Sequence, residues 1–158
     1  MQNFNNLPLR LGVGIVVLNK KNQVFVGKRI DNPGNSWQMP QGGVDKNENF
    51  FQAAKRELAE ETGIKSVKLI KELDGWFKYD LAKYLLGKIW KGKYRGQKQK
   101  WFVMKFIGEN DEINIKTKNP EFFDWKWIEF SKLPGIAVHF KADIYKKIKK
   151  ELKSLIQN

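Results

Sequence analysis

With 158 residues, 41% of them hydrophobic, the chain has the material for one ordinary packed domain and is too apolar to be disordered. The absence of cysteine excludes disulfides, thiolate catalysis and cysteine zinc sites, and a single histidine, His139, excludes a multi-histidine metal centre. A net charge of +13 favours polyanions such as nucleic acid, nucleotides or an anionic membrane, although a lysine-rich background alone would give the same balance.

Residues 1–10 show no basic stretch leading into a long apolar one. Val13–Leu18 is too short to span a bilayer or to form a full signal core, so a cytoplasmic protein without a membrane partner is expected. The same β-branched run predicts a buried strand, and Gln23–Arg29 its partner after the polar turn Asn19–Asn22. Asp31–Ser36 is rich in turn formers and predicts a loop. Asn49–Thr62 predicts a helix, with Gly63 where a left-handed C-terminal cap belongs.

Ser66–Leu73 alternates as a strand, and Gly75–Leu81 is a further candidate. Lys88–Gln99 is basic, punctuated by glycine, and expected as a loop. Lys100–Gly108 and Phe122–Phe130 predict strands, with Trp125 and Trp127 at the spacing of core residues. Ala142–Ile156 closes the chain as a helix, with Ile144, Ile148, Leu152 and Ile156 on one stripe. No repeat or linker interrupts residues 1–158, which predicts one domain of α/β or α+β type.

The helix from Asn49 carries Glu57, Glu60 and Glu61. At 3.6 residues per turn these carboxylates share one stripe, and like charges so spaced repel by a few tenths of a kcal/mol per pair. The stripe contains no lysine. Ala53 and Ala54 extend it by a turn and leave room for an approaching group, while Phe51 and Leu58 predict the core side. Hard oxygen donors in such a cluster suit Mg²⁺ or Mn²⁺, which would reverse the repulsion. Arg56 is placed to orient a carboxylate, and Gly42–Gly43 allows a bend before the helix. A merely solvated acidic face is the alternative.

The stretch from Gly42 to Ile64 resembles the Nudix box, G-x5-E-x7-R-E-U-x-E-E-x-G-U. Gly42, Glu48, Arg56, Glu57, Leu58, Glu60, Glu61, Gly63 and Ile64 fill every fixed position, with Gly43 beside the first. The likeness continues through SWQMPQGG, GQKQKWF, PEF, DWKW and HFK. These motifs resemble the branch of the Nudix family that acts on 5′-triphosphorylated RNA, also described as dinucleoside polyphosphate hydrolases. The resemblance implies an α/β/α sandwich around a mixed β-sheet, with a catalytic loop-helix-loop.

It also implies a set of roles. Glu57, Glu60, Glu61 and Glu121 would hold Mg²⁺ or Mn²⁺, and Glu57, Glu121 and Arg56 would form the catalytic group. Arg10 and Arg29 would meet the terminal phosphates, with Gln97, Lys98 and Lys100 lining the phosphate channel. Val138, Phe140 and Lys141 would form a wall for RNA bases. The implied reaction removes pyrophosphate from 5′-triphosphorylated RNA and leaves the 5′-monophosphate that primes mRNA decay. Cleavage of diadenosine tetraphosphate is the alternative substrate, and a non-catalytic RNA-binding module the alternative class. No stable protein partner is implied.

Overall fold

The computed structural model describes residues 6–31, 34–137 and 141–156. β1 (Leu9–Leu18) turns into β2 (Gln23–Arg29) through a tight connection. Asn22 lies there in the left-handed region, and the Asn19 carboxamide oxygen accepts from the amides of Lys21 and Gln23. After β3 (Gln41–Gly43) comes α1 (Phe50–Thr62). Its first turn is closed by a reciprocal pair: the Asn49 side chain accepts from the Gln52 amide, and the Gln52 side chain accepts from the Asn49 amide. Gly63, at φ 74°, ends the helix as its left-handed position requires.

β4 (Val67–Glu72), β5 (Phe77–Asp80), β6 (Gly96–Phe106) and β7 (Phe122–Glu129) follow, then the one-turn α2 (Leu133–Ile136) and the closing α3 (Ala142–Ile156). The sheet is mixed, in the order β4-β6-β1-β2-β7. Its centre is a long parallel ladder between β1 and β6, running from Leu9 beside Gly96 to Leu18 beside Lys105. β5 and then β4 pair with the outer side of β6. β3 pairs with the first half of β1.

Two expected boundaries move. β1 starts at Leu9 rather than Val13, and Gly96–Gln99 belong to a strand rather than to the basic loop. Long-range pairing overrides local composition there. Gly96 is small because the Tyr79 carbonyl of β5 passes where a Cβ would stand.

Alternation along the central strands divides the core into two layers. Val13, Ile15 and Val17 of β1, with Phe102 and Met104 of β6, pack against Ala53, Ala54 and Leu58 of α1. Val16 and Leu18, with Trp101 and Val103, pack against Ile144, Tyr145, Ile148 and Leu152 of α3. The result is the expected α/β/α sandwich. Trp125 and Trp127 pack on the α1 layer, against Phe25. Phe51 departs from expectation. It lies at the rim of that layer, 36% exposed, against Phe102 and under Lys55.

The exit from α1 is stapled to the segment after β6. Glu112 accepts from the backbone amides of Lys65 and Ser66, each at 2.8 Å, and from the Ser66 hydroxyl at 2.6 Å. These donors hold its carboxyl below the usual range. A depressed folded pKa stabilises above the unfolded value and is lost as pH falls through the folded one. Glu112→Ala is expected to cost about 1 kcal/mol at pH 7, less than the roughly 1.5–3 kcal/mol of a charged hydrogen bond because the group is partly solvated. The deficit, read from urea denaturation, should shrink as pH drops below about 4. A deficit that is constant across that range would assign it to packing instead.

Candidate active site

β3 is where the sheet opens. β1 pairs with β2 at its C-terminal end and with β3 at its N-terminal half, so a cleft of about 370 Å³ forms beside Gly42 and Gly43. Both glycines allow a close approach by a side chain of the site. A side chain on Gly42 would overlap the Glu57 carboxylate, and one on Gly43 would overlap the Arg10 guanidinium.

Arg56 ties the loop to the helix. Its Nε and Nη2 donate to the two oxygens of Glu48 at 2.8 and 3.0 Å, Nη2 donates to the Gly43 carbonyl at 2.9 Å, and Nη1 donates to Glu57 at 2.9 Å and to Glu60 at 3.2 Å. Every edge of this guanidinium is occupied, and it does not line the cleft. Its position is that of a group orienting Glu57, and its bidentate partner is Glu48.

The three stripe carboxylates diverge. Glu57 lines the cleft with its side chain 13% exposed, and burial pushes its carboxyl up to about 7 against the pull of Arg56. Glu61 is 2% exposed, and neither of its oxygens receives a hydrogen bond. Burial and the facing Glu121 carboxylate raise it well above the usual range. Glu60 points outward to Arg56 and is 61% exposed. Glu121, on the loop before β7, lines the cleft.

Among the described residues no three acids are already gathered in ligating geometry. Two buried carboxylates, one with both oxygens lacking donors, and a third acid facing them form a hard-oxygen donor set that fits a divalent cation. Ala53 and Ala54 do not leave room for a ligand, as the stripe suggested. They are fully buried and let α1 settle on the sheet, which brings Glu61 against it.

Two arginines face the acids. Arg29 donates to both oxygens of Asp31 at 2.7 and 2.8 Å and lies 3.5 Å from Glu121. Arg10 has no ion-pair partner among the described residues. It is held between Gly43 and the Trp90 indole, whose centroid is 5.1 Å away. Lys141 lines the same cleft, donating to Gln38 at 3.2 Å. Burial, with Arg29 close by, pulls its ammonium down to about 7.

The remaining expected contacts fall elsewhere. Gln97 is fully buried below the cleft, where it accepts from Gln99 and from the Tyr79 hydroxyl. Lys98 and Lys100 point to the opposite side of β6 and stand over Trp76, at 4.7 and 4.5 Å. None of the three lines the cleft: strand alternation turns Lys98 and Lys100 to the other face, and Gln97, on the cleft side, is buried beneath it. Val138, His139 and Phe140 lie outside the described residues. The cleft adds groups the sequence did not single out: Asp31, Gln38, Gln41, Tyr79, and an apolar wall of Leu81, Tyr84, Leu85, Ile89 and Trp90. Of these, Gln38 and Gln41 fall within the SWQMPQGG motif, and Tyr79 carried the strand alternation of Phe77–Asp80.

Comparison with known proteins agrees with this geometry. Residues 8–148 match the NUDIX domain model. The chain is 62% identical over 151 residues to the RNA pyrophosphohydrolase of Pelagibacter ubique (strain HTCC1062), covering 96% of each. It is 47% identical over 161 residues to the RNA pyrophosphohydrolase of Rickettsia prowazekii (strain Madrid E), covering 99% of this chain and 100% of that one. The fold is similar to that of the E. coli dihydroneopterin triphosphate pyrophosphohydrolase, with a TM-score of 0.71 at 19% identity over 91% of this chain and 99% of that one. It is also similar to the C. elegans Ap4A hydrolase, at 0.63 and 21% over 90% and 98%. At those identities the two structures speak to the fold alone. The intact box on α1, the domain match and the near-full-length relatives together show that the chain belongs to the Nudix hydrolase family.

Proposed function

We propose that this protein removes pyrophosphate from 5′-triphosphorylated RNA and leaves a 5′-monophosphate, acting in the cytoplasm and priming transcripts for decay. The observation that carries this reading is the cleft itself, where Glu57 and Glu121, with the donor-free Glu61 behind them, share a space open to solvent with Arg10 and Arg29. The near-full-length relatives named RNA pyrophosphohydrolase support the choice of RNA over other polyphosphates.

In this reading Glu57, Glu60 and Glu61 would hold Mg²⁺ or Mn²⁺. Bound there, the cation neutralises the polyphosphate and makes the attacking water more acidic. Arg10 grips the terminal phosphates, and its lack of a carboxylate partner among the described residues leaves its donors available. Arg29 does the same from the opposite wall, with Asp31 fixing its plane. Glu121 is more open than Glu57 and, unlike Asp31, is not paired through both oxygens with Arg29, and it accepts the proton of the water. Lys141 adds a positive group beside the phosphate chain. Arg56 positions Glu57 and Glu60 and touches no reacting atom.

Glu57→Gln keeps the shape and removes the charge. It should lower kcat at saturating Mg²⁺ by about a hundredfold or more, while the metal-free melting temperature stays level or rises slightly as a buried charge disappears. A loss under about threefold, below 1 kcal/mol of barrier, would remove Glu57 from the ligand set.

The metal site has a readout independent of turnover. Mn²⁺ at about 100 times its dissociation constant stabilises a native state by roughly 2.7 kcal/mol and should raise the wild-type melting temperature. Glu61→Gln should abolish most of that rise. An undiminished rise would place the cation elsewhere.

Arg29→Ala and Arg10→Ala should each lower kcat/KM for triphosphorylated RNA by about tenfold or more. Comparing that substrate with diadenosine tetraphosphate on the wild type tests the substrate assignment. A higher kcat/KM on the dinucleotide would overturn it.

A further inference from the structure

The segment between β5 and β6 carries Lys83, Lys88, Lys91, Lys93 and Arg95, yet none of these lines the cleft. The residues it presents there are Tyr84, Leu85, Ile89 and Trp90. Charge and apolar surface have been sorted to opposite sides of one short loop. Leu85, Ile89 and Trp90 pack back on the α3 layer, while Tyr84 stays 67% exposed.

The sorting is held at a cost. Trp90 and Lys91 are consecutive non-glycine residues at φ 52° and 57°, a conformation that costs roughly 1–2 kcal/mol per residue. Two short turns keep them there: the Gly92 amide donates to the Ile89 carbonyl at 3.0 Å, and the Lys93 amide to the Trp90 carbonyl at 3.2 Å. The indole lies edge-on to Tyr94 and under the Arg10 guanidinium. Strain of this kind persists where the surroundings over-determine it, and here it fixes an aromatic wall beside an arginine that has no carboxylate partner among the described residues.

We propose that this wall is the docking site for the nucleobase of the nucleoside that bears the polyphosphate, with Tyr84 as the stacking surface and Trp90 as the positioning residue for Arg10. The assignment rests on the cleft being a polyphosphate site. The acids and arginines occupy the floor and leave no apolar surface for a base. Tyr79, Leu81, Tyr84, Leu85, Ile89 and Trp90 supply the aromatic and apolar surface within the same space, and Tyr84 is the exposed one among them. Stacking on such a wall accepts any base, since each has a π-face.

The test uses the intact chain and two RNAs alike except at the first nucleoside, one carrying adenine and one abasic, both 5′-triphosphorylated. Tyr84 is exposed, so its replacement leaves the core untouched. Tyr84→Ala should lower kcat/KM on the adenine substrate by ~5- to 100-fold, the range for one stacked base, and change the abasic substrate by less than about twofold. Tyr84→Phe should restore the adenine substrate. An equal loss on both RNAs, or none on either, overturns the proposal. Should the wild type fail to process triphosphorylated RNA at all, the proposed function falls, and the wall is then judged by binding. ADP should bind the wild type more tightly than inorganic pyrophosphate does, and Tyr84→Ala should erase that difference. A wild type that binds both alike overturns the wall.

Discussion

The site depends on one guanidinium. Arg56 joins Glu48 and the Gly43 carbonyl, on the loop before α1, to Glu57 and Glu60 on the helix. Without it the loop from β3 would have no charged link to the helix, and the Glu57 carboxylate would sit almost buried without a donor. The planar fork explains why arginine stands there. It meets Glu48 with two parallel bonds and still has donors for a carbonyl and two more carboxylates, which a lysine ammonium cannot do in one plane. The glycines complete the arrangement, because Glu57 and Arg10 fill the volume that side chains on Gly42 and Gly43 would take.

Electrostatic tension concentrates where this clamp ends. Glu61 is forced against the sheet by its place on the buried face of α1, between Leu58 and Ile64. No donor reaches it, and Glu121 faces it with the same sign. Burying such acids disfavours their charged forms, so the arrangement lowers the stability of the fold. Arg29 answers only part of this charge, since Asp31 already takes two of its bonds. The basic surplus of the chain is therefore not spent in neutralising the acids. Arg10 remains free of ion pairs among the described residues, and Lys98 and Lys100 are engaged with Trp76 on the other face of the sheet.

The sheet sets where these groups can meet. β1 and β6 are long enough to pair with two strands each in succession. The switch from β3 to β2 along β1 opens the cleft, and the shorter β5 leaves the 82–95 segment to wrap over its far side. Below the floor, Trp101, Gln99, Gln97 and Tyr79 form a hydrogen-bonded chain that reaches Gln41 at the surface. Such a chain fixes side-chain orientations in a layer that apolar packing alone would leave free to turn.

Much of this was written in local sequence. The β1 apolar run, the capped and amphipathic α1, the closing α3 and the box spacing of Glu48, Arg56, Glu57 and Gly63 all follow from periodicity and short-range geometry, which neighbouring residues determine among themselves. The arginine–glutamate clamp was half legible, because an i,i+4 pair such as Arg56 and Glu60 is local, whereas the bidentate bond to Glu48 requires the loop to fold back. What only the tertiary structure decided was direction. Whether Ala53 and Ala54 made room for a ligand or for the sheet, whether Gln97 and Lys98 faced the cleft or left it, and which of five basic residues in the 82–95 loop turned away from an aromatic wall all depend on strand register. A one-residue change in pairing sends a side chain to the opposite face, and register is set by partners more than sixty residues apart in sequence, as Arg10 and Gln97 are.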